Sequence, residues 1–156
     1  MFATIVQACT DSDCDKSFAE ICAENGFKFE SHTVTTEDGY ILTMMRIPGM
    51  LGEQVTSVKP PVFFQHGLFD SSDAFISNWA DKAPAFVAVR AGYDVWLGNT
   101  RGNKYSRKHV KLNPDINRQQ FWDFDLEQMG QYDLPAELDF VATYTGIEKI
   151  AYIGHS

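Results

Sequence analysis

The sequence KIAYIGHS, residues 149–156, runs from an apolar segment directly into Gly154, His155 and Ser156. A short apolar run that ends at glycine predicts a strand. Gly-x-Ser after a strand matches the first three residues of Gly-x-Ser-x-Gly, a sharp strand-to-helix turn that presents a nucleophilic serine hydroxyl. The triplet alone arises about once in a chain of this composition, so the strand before it carries the prediction.

Two earlier segments predict strands of the same kind. Residues 62–65, VFFQ, are apolar on both faces, as is typical of a strand inside a parallel sheet, and residues 93–99, YDVWLGN, repeat the pattern. The segments after each of these strands contain helical signals. Residues 74–92 predict a helix that is interrupted before Pro84, and residues 121–146 predict the helices before the last strand.

The end signals of the last predicted helix are local. Asp133 is predicted to be its N-cap, with Pro135 in the first turn, and Gly146 is predicted to terminate it. Residues 100–120 between the helical segments are polar and predict a long loop.

The amino-terminal part predicts a helix and a hairpin. Residues 16–25 have helical apolar spacing, and residues 27–47 alternate in polarity around the turn sequence TEDG. Residues 1–15 are interpreted as a leader or the remnant of a signal sequence, because their apolar run is short and has no basic segment before it. Strands that then alternate with helices indicate an α/β fold, with a β-hairpin followed by a parallel sheet.

Ligands of parallel sheets bind beyond the carboxyl ends of the strands. One such end carries His66, Gly67 and Leu68. A glycine here lets the backbone turn so that the Leu68 N–H becomes an oxyanion donor, with His66 and Gly67 supporting the loop. His66-Gly67 alone is more often an ordinary turn, but a Gly-x-Ser two strands later favours the catalytic interpretation.

Composition excludes several classes of function. The chain has 156 residues, of which 44% are hydrophobic, so one globular domain or part of one is expected. Its net charge of −8 disfavours nucleic acid as a partner. Cys9, Cys14 and Cys22 match no zinc spacing, and either one disulfide with a free thiol or three thiols is compatible with them. Because no phosphate-binding or dinucleotide motif occurs, no cofactor or metal is predicted.

Several other residues have simpler interpretations. Trp79, Trp96 and Trp122 are expected in the core or in the wall of the site. Asp70 and Asp73 are expected to cap the helix that follows them.

The chain resembles the acid lipase family, which includes gastric and lysosomal acid lipases and steryl ester hydrolases. The resemblance rests on TEDGYIL, RIPG, FFQHGL, GYDVWLGNTRGN, FWDFDLEQMGQYDLPAELDFV and YIGHS, which occur in the order of the family. It implies an α/β-hydrolase fold with a helical cap, hydrolysis of acylglycerols or steryl esters, and contact with lipid at a lipid–water interface. It also implies a secreted or lysosomal protein, or alternatively one bound to lipid droplets or membranes.

The resemblance also assigns roles to individual residues. Ser156 matches the nucleophile, Leu68 matches the oxyanion donor of the strand loop, and Gly154 and His155 match the elbow. Arg101, Gly102 and Asn103 match a loop beside the site, for which a structural role is expected. Residues 16–156 then correspond to the amino-terminal part of the lipase domain, truncated at the nucleophile elbow, without the cap and the carboxy-terminal half.

The position of Ser156 leads to further expectations. The triad of this fold follows the order Ser, acid, His, so its acid and base are expected after Ser156, and the chain as given is expected to be inactive. His32 and His109 are expected at the surface, and His155 is expected to point away from the serine. The last strand is expected to be an exposed edge that promotes aggregation. The alternatives are a non-catalytic remnant that binds lipid or a partner, and a hydrolase of soluble esters. Oligomeric state is not predicted.

Overall fold

The computed structural model describes residues 13–54 and 57–156. The greater part of the expected leader, residues 1–15, therefore lies outside the described residues. In chain order the elements are α1 (Phe18–Glu24), β1 (Glu30–Thr35), β2 (Tyr40–Ile47), β3 (Pro61–Gln65), a 3₁₀ turn (Ser72–Phe75), α2 (Pro84–Arg90), β4 (Asp94–Leu97), β5 (Lys108–His109), α3 (Arg118–Phe121), α4 (Leu126–Gln128), a π-helical turn (Met129–Asp133), α5 (Leu134–Thr145) and β6 (Ala151–Gly154).

The strands form one mixed sheet in the order β1-β2-β4-β3-β6, and β5 adds a short pairing to β2. β1 and β2 are an antiparallel hairpin, and β2 also pairs antiparallel with β4. The two remaining pairings are parallel, because β3 runs in the same direction as both β4 and β6. The predicted α/β fold with an initial hairpin and a parallel part is confirmed.

Strands β3 and β4 are buried on both faces, whereas β6 is exposed along its whole length. On one face Phe64 and Leu97 pack with residues of α1 and α2, and on the other face Phe63 and Trp96 pack with Val141 of α5. Phe63 and Phe64 are 0% and 2% exposed. Burial of each ring contributes about 1.5–3 kcal/mol. The apolar runs that form β3 and β4 therefore correspond to strands covered by helices on both sides.

The amino-terminal helix follows its sequence signals. Ser17 is the N-cap of α1, and its capping box with Glu20 is complete. In the same region, Cys14 is disulfide-bonded and Cys22 is a free, buried thiol. Burial raises the pKa of Cys22 to about 12. These two states fit the interpretation with one disulfide, and Cys9 lies outside the described residues.

Residues 76–83, predicted to be helical, form turns instead, and the helix proper begins at Pro84. Asn78 accepts a hydrogen bond from the Trp79 N–H through Oδ1, a local bond that competes with helix formation. Trp79 is 72% exposed, with the Lys82 ammonium over its ring, so its predicted place in the core or site wall is wrong. Trp96, in contrast, is fully buried in the core.

Asp133, predicted to be an N-cap, is itself helical, with φ −68° and ψ −56°. The chain is already helical before it, because the π-helical turn continues directly into α5. Its carboxylate binds Arg101 instead of capping the helix. The other end of α5 agrees with the sequence, since Gly146 ends it with φ +71°.

The carboxylates of Asp70 and Asp73 also differ from their predicted capping role. Asp70 Oδ1 accepts from the N–H of Ser71, the adjacent residue. Asp73 accepts from the Tyr105 hydroxyl and pairs with Lys104. Both carboxylates therefore fix loops beside the sheet.

Candidate active site

Three strand ends meet at one edge of the sheet. β3 lies between β4 and β6, and the chain passes from β3 to β4 on one side before it crosses to β6 on the other. Such a reversal of strand order opens a crevice at the carboxyl ends of the strands. Gln65 pairs with Gly154, so the residues that follow β3 and β6 emerge side by side.

Ser156 adopts a backbone conformation that is rare for residues other than glycine. The N–H of His155 donates to the Gln65 carbonyl at 3.0 Å, which extends the pairing by one residue, and Ser156 then has φ +71°. A non-glycine residue in this left-handed region costs on the order of 1–3 kcal/mol, and such residues concentrate at functional sites. A serine turned sharply out of a strand end is the geometry of a nucleophile elbow.

Gly67 lies directly against this elbow. A Cβ atom at Gly67 would lie 3.0 Å from the Ser156 Cβ and 3.2 Å from the His155 carbonyl oxygen. A side chain at Gly67 would therefore push the loop after β3 away from Ser156. The glycine in the predicted oxyanion loop is explained by this close approach.

The loop after β3 turns the Leu68 N–H outward. The Gly67 carbonyl accepts from His66 Nδ1 at 2.7 Å and from the Asp70 N–H at 3.2 Å. Since C=O and N–H point in opposite directions across a trans peptide, these bonds orient the Leu68 N–H away from the His66 ring. Among the described residues, none accepts a hydrogen bond from the Leu68 N–H. Phe69 completes the turn with φ +65°.

His66 is a structural part of this loop. Its Nε2 accepts from the Thr100 N–H at 3.2 Å and lies 3.3 Å from Asn103 Nδ2, while Nδ1 bonds to the Gly67 carbonyl. This network assigns the neutral tautomer with the proton on Nδ1. Both ring nitrogens are engaged, so His66 is not placed to deprotonate Ser156.

The other histidines lie elsewhere. His32 is on β1, four strands away from β6, a separation of about 19 Å at the usual strand spacing. Its side chain is 17% exposed and packs against the Trp96 ring, so the predicted surface position is wrong. His109 is partly exposed on β5 and bonds to the Asp38 carbonyl. Within residues 13–54 and 57–156, no side chain forms a hydrogen bond with the Ser156 hydroxyl.

A cavity of about 640 Å³ contains both halves of the site, which are the oxyanion loop after β3 and the serine elbow after β6. The walls of this cavity are largely apolar. A second cavity of about 500 Å³ adjoins it and shares Leu68, Thr100 and Met129, with Trp122 in its wall. The first cavity is lined by Gln65, His66, Gly67, Leu68, Thr100, Leu126, Met129, Gly130, Leu134, Tyr152, Gly154, His155 and Ser156. All six site residues predicted from the sequence therefore line one cavity.

The loop after β4 is held by Arg101, which is 2% exposed. Its guanidinium binds Asp133 at 2.8 Å and both carboxylate oxygens of Asp38 at 2.6 and 2.9 Å, and it lies 4.0 Å from the centre of the Tyr40 ring. Burial raises the pKa of Asp133, although hydrogen bonds from Arg101 oppose this shift. Burial also opposes ionisation of Asp38, but hydrogen bonds from Arg101 and Thr36 outweigh it and lower the pKa.

Asn99 connects this loop to the segment after the oxyanion loop. Its Oδ1 accepts from the Ser72 N–H at 2.9 Å and from Asn103 Nδ2 at 2.8 Å, and its Nδ2 donates to the Thr43 carbonyl. These bonds fix Asn103 beside His66. The structural role expected for residues 101–103 agrees with the buried bonds of Arg101 and Asn103.

Glu137 and Gln65 are features of the site that the sequence analysis missed. Glu137 is 0% exposed, and its Oε1 accepts from the Asn99 N–H at 3.0 Å. Glu137 Oε2 and Gln65 Oε1 have no hydrogen-bond partner among the described residues. Burial raises the pKa of Glu137 to about 8, with a further contribution from the Asp133 charge, against the opposing bond from Asn99.

In the described part of the chain, no group of three or more His, Cys, Asp or Glu side chains is arranged to hold a metal ion. Among the helices of that part, none has the length and apolar character needed to cross a bilayer.

Comparison with known proteins identifies the family. The model of a partial alpha/beta-hydrolase lipase region matches residues 18–79, and that of the alpha/beta hydrolase fold matches residues 60–156. Lysosomal acid lipase/cholesteryl ester hydrolase of Homo sapiens is 42% identical over 94% of this chain and 36% of its own length. Gastric triacylglycerol lipase of Mus musculus is 47% identical over 84% of this chain and 33% of its own length.

The chain spans about a third of the length of the curated relatives that it matches. Among solved structures, an esterase of Pyrococcus furiosus superposes with a TM-score of 0.56 at 17% identity, over 89% of this chain and 42% of the esterase. At that identity the likeness supports the fold alone. Together with the sequence matches, it agrees with the order of strands and helices described above. The chain therefore belongs to the α/β-hydrolase fold family and, within it, to the acid lipases, whose amino-terminal part it matches.

Proposed function

We propose that this chain supplies the nucleophile and the oxyanion-binding loop of a serine hydrolase that cleaves carboxylic esters of lipids. One observation carries the proposal. Ser156 turns out of a strand end with φ +71°, and the Leu68 N–H, which no described residue accepts, lines the same cavity. A nucleophile beside an unpaired backbone donor is the arrangement that acyl transfer requires.

The chemistry follows from these two groups. The Ser156 oxygen attacks the ester carbonyl carbon as its proton passes to a base, and the carbonyl oxygen gains negative charge. The Leu68 N–H donates to that oxyanion, which lowers the barrier. Collapse expels the alcohol and leaves an acyl-enzyme, which water then hydrolyses back to free serine and a carboxylic acid. The base and its aligning acid are proposed to come from the part of the full-length protein that corresponds to the rest of the relatives' length.

Acylglycerols and steryl esters are the proposed substrates. Two of the most similar relatives are named as a cholesteryl ester hydrolase and a triacylglycerol lipase. The cavity walls include Leu126, Met129, Leu134 and Tyr152, which suit an acyl chain. Leu126, 62% exposed, lies at this cavity, and Phe69, 97% exposed, lies at the adjoining cavity of about 500 Å³. Both side chains suit contact with a lipid–water interface.

The same reasoning extends to domain organisation and location. Residues 16–156 are proposed to be the amino-terminal part of the lipase domain, preceded by a leader in residues 1–15. A lysosomal or secreted location is proposed, since similar proteins are named as lysosomal and gastric lipases. Expression of the full-length protein with a carboxy-terminal tag, followed by microscopy and analysis of the medium, tests the location.

The test of function is a fusion of residues 1–156 to the remaining part of lysosomal acid lipase from Homo sapiens, which supplies a base and an acid. The fusion is expected to hydrolyse triacylglycerol and cholesteryl ester emulsions, and Ser156→Ala is expected to abolish the activity. Ser31→Ala removes a hydroxyl from the exposed face of β1 and serves as the matched control. The unfused chain is expected to show negligible turnover, because a serine without a base is a poor nucleophile.

Two results would contradict the proposal. A folded fusion that hydrolyses neither substrate would exclude the lipase function, and binding of that fusion to lipid vesicles would favour the non-catalytic alternative. Hydrolysis of soluble short-chain esters without any activity on emulsions would exclude lipid substrates.

A further inference from the structure

Glu137 occupies a place where a charged side chain is costly. It lies on α5, is fully buried, and reaches the end of β4, where its Oε1 accepts from the Asn99 N–H. Its second oxygen points to the backbone of Gly98: a Cβ atom added there would lie 2.7 Å from Glu137 Oε2. The same Cβ position lies 3.1 Å from Gln65 Oε1. The two oxygens therefore border the same small space beside Gly98.

Both of these oxygens are buried acceptors without a donor among the described residues. A buried polar atom without a partner costs about 1–3 kcal/mol, and more when it is charged. A proton donor in the space that these two acceptors border would remove this cost. The Tyr152 hydroxyl of β6 bonds to neither oxygen, so the candidate donors at this space are the Gln65 amide and the Glu137 carboxyl group.

The Gln65 amide is already oriented. Its Nε2 donates to the His66 carbonyl, at 3.4 Å, so its Oε1 faces the other way, toward Gly98 and Glu137. Rotation of the amide by half a turn would bring Gln65 Oε1 against the His66 carbonyl oxygen and create a new contact between two acceptors. The missing donor is therefore the carboxyl group.

We propose that Glu137 is a positioning residue that keeps its proton as a neutral acid and donates it toward Gln65 Oε1. The inference rests in part on the proposed function, because Gln65 connects the two halves of the proposed site. Its side chain bonds to the His66 carbonyl in the oxyanion loop, and its main-chain carbonyl accepts from the His155 N–H in the elbow. Glu137 thereby couples α5 to both halves.

The electrostatic surroundings favour the neutral form. Asp133 lies one turn earlier in the same helical segment, and its charge raises the pKa of Glu137. Asp133 is itself paired with Arg101. From β6, the Tyr152 hydroxyl is the titratable group near Glu137, and burial raises its pKa, so that it also stays neutral. The groups that approach from β3 and the end of β4 are Phe63, Gln65 and Asn99, none of which titrates.

The linked prediction for pH has a defined sign. The folded-state pKa of Glu137 lies above its ordinary value of 4.5, at about 8. The folded protein therefore retains a proton that the unfolded chain has lost, and this contribution to stability falls as pH rises from 4.5 through 8. Ionisation above that range places a buried negative charge behind the loop that is proposed to bind an oxyanion.

The test uses the chain itself, with side-chain carboxyl carbons labelled by ¹³C for NMR. Glu137 is expected to be protonated at pH 7 and to titrate near pH 8. The amide resonances of Leu68 and His155 are expected to shift with the same midpoint, a coupling that a merely structural residue would not produce. This readout requires no catalytic activity, so its failure and failure of the proposed function are distinguishable.

Variants complete the test. Glu137→Gln keeps one donor and one acceptor without a charge, so it is expected to fold, to remove the pH-dependent amide shifts and to abolish the loss of stability between pH 5 and 9. Asp139→Asn makes the same chemical change at an exposed position of α5, and is expected to leave the wild-type pH profile unchanged. A Glu137 carboxyl that is already ionised at pH 6 would overturn the proposal. Amide shifts that persist unchanged in Glu137→Gln would also overturn it.

Discussion

Replacement of Arg101 with Met tests a buried ion-pair cluster that fixes the loop after β4. The Arg101 and Asp133 side chains are each 1% exposed and pair at 2.8 Å, and the guanidinium also binds Asp38. Methionine retains much of the apolar volume but leaves the Asp133 carboxylate buried, with the residue-101 N–H as its remaining donor. Removal of one partner from a buried pair costs about 3–5 kcal/mol.

The matched control is Arg107→Met in the same loop. Arg107 pairs with Asp115, but these side chains are 47% and 60% exposed. An exposed pair contributes at most about 1 kcal/mol. A small domain has a total stability of about 5–15 kcal/mol, so Arg101→Met should remove a large part of it and Arg107→Met only a small part.

Urea unfolding at low protein concentration, followed by circular dichroism, measures this difference. The denaturation midpoint of Arg101→Met is expected to fall sharply with little change in slope. Addition of Asp133→Asn should restore part of the loss, because the second change removes the unpaired charge. The penalty should also shrink at acid pH, where Asp133 becomes protonated. Equal midpoints for Arg101→Met and Arg107→Met would refute the reasoning.

Three further predictions concern the site and the edge of the sheet. Gly67→Ala places a Cβ 3.0 Å from the Ser156 Cβ. The fusion enzyme is therefore expected to lose at least tenfold in kcat/KM at nearly unchanged thermal stability. Full activity would contradict the close approach of the two residues. Phe69 has a positive φ and a side chain that is 97% exposed. Phe69→Gly should therefore stabilise the chain by about 1 kcal/mol in urea unfolding, whereas Phe69→Ala should not. Equal effects of the two changes would exclude backbone strain. β6 is an edge among the described strands, and Ile153 on it is 45% exposed. Ile153→Lys adds a charge to this edge and should reduce the aggregation measured by light scattering. Unchanged aggregation would contradict the role of this edge.

The strands and the placement of the site could be predicted because their signals are local. The apolar runs before Gln65 and Gly154 form parallel strands, of which the first is buried and the second is an exposed edge, and the residues after them line one cavity. Gly146 ends its helix as expected, since a left-handed C-terminal residue is a property of a few neighbouring residues. The hairpin likewise follows from alternating polarity around one turn.

The sequence predictions were wrong or incomplete at residues whose surroundings are set by distant parts of the chain. Asp133 has the sequence signature of an N-cap, but Arg101, 32 residues earlier, binds its carboxylate in the interior. Trp79 is large and aromatic, but the chain around it turns at the surface. Glu137 occupies an ordinary position in a predicted helix, and its burial becomes evident only when the fold brings Gly98 and Gln65 against it. Long-range contacts of this kind leave no pattern in a single sequence.

Reaction of Ser156 with a fluorophosphonate tests the central claim most directly. In the fusion with the remaining part of lysosomal acid lipase, the serine oxygen should attack phosphorus and release fluoride, and mass spectrometry should locate one adduct per molecule on Ser156. The unfused chain should react slower by roughly 10³-fold or more, because no described side chain activates the hydroxyl. An adduct on a different residue of the folded fusion, or equal rates for the fusion and the chain alone, would contradict the account.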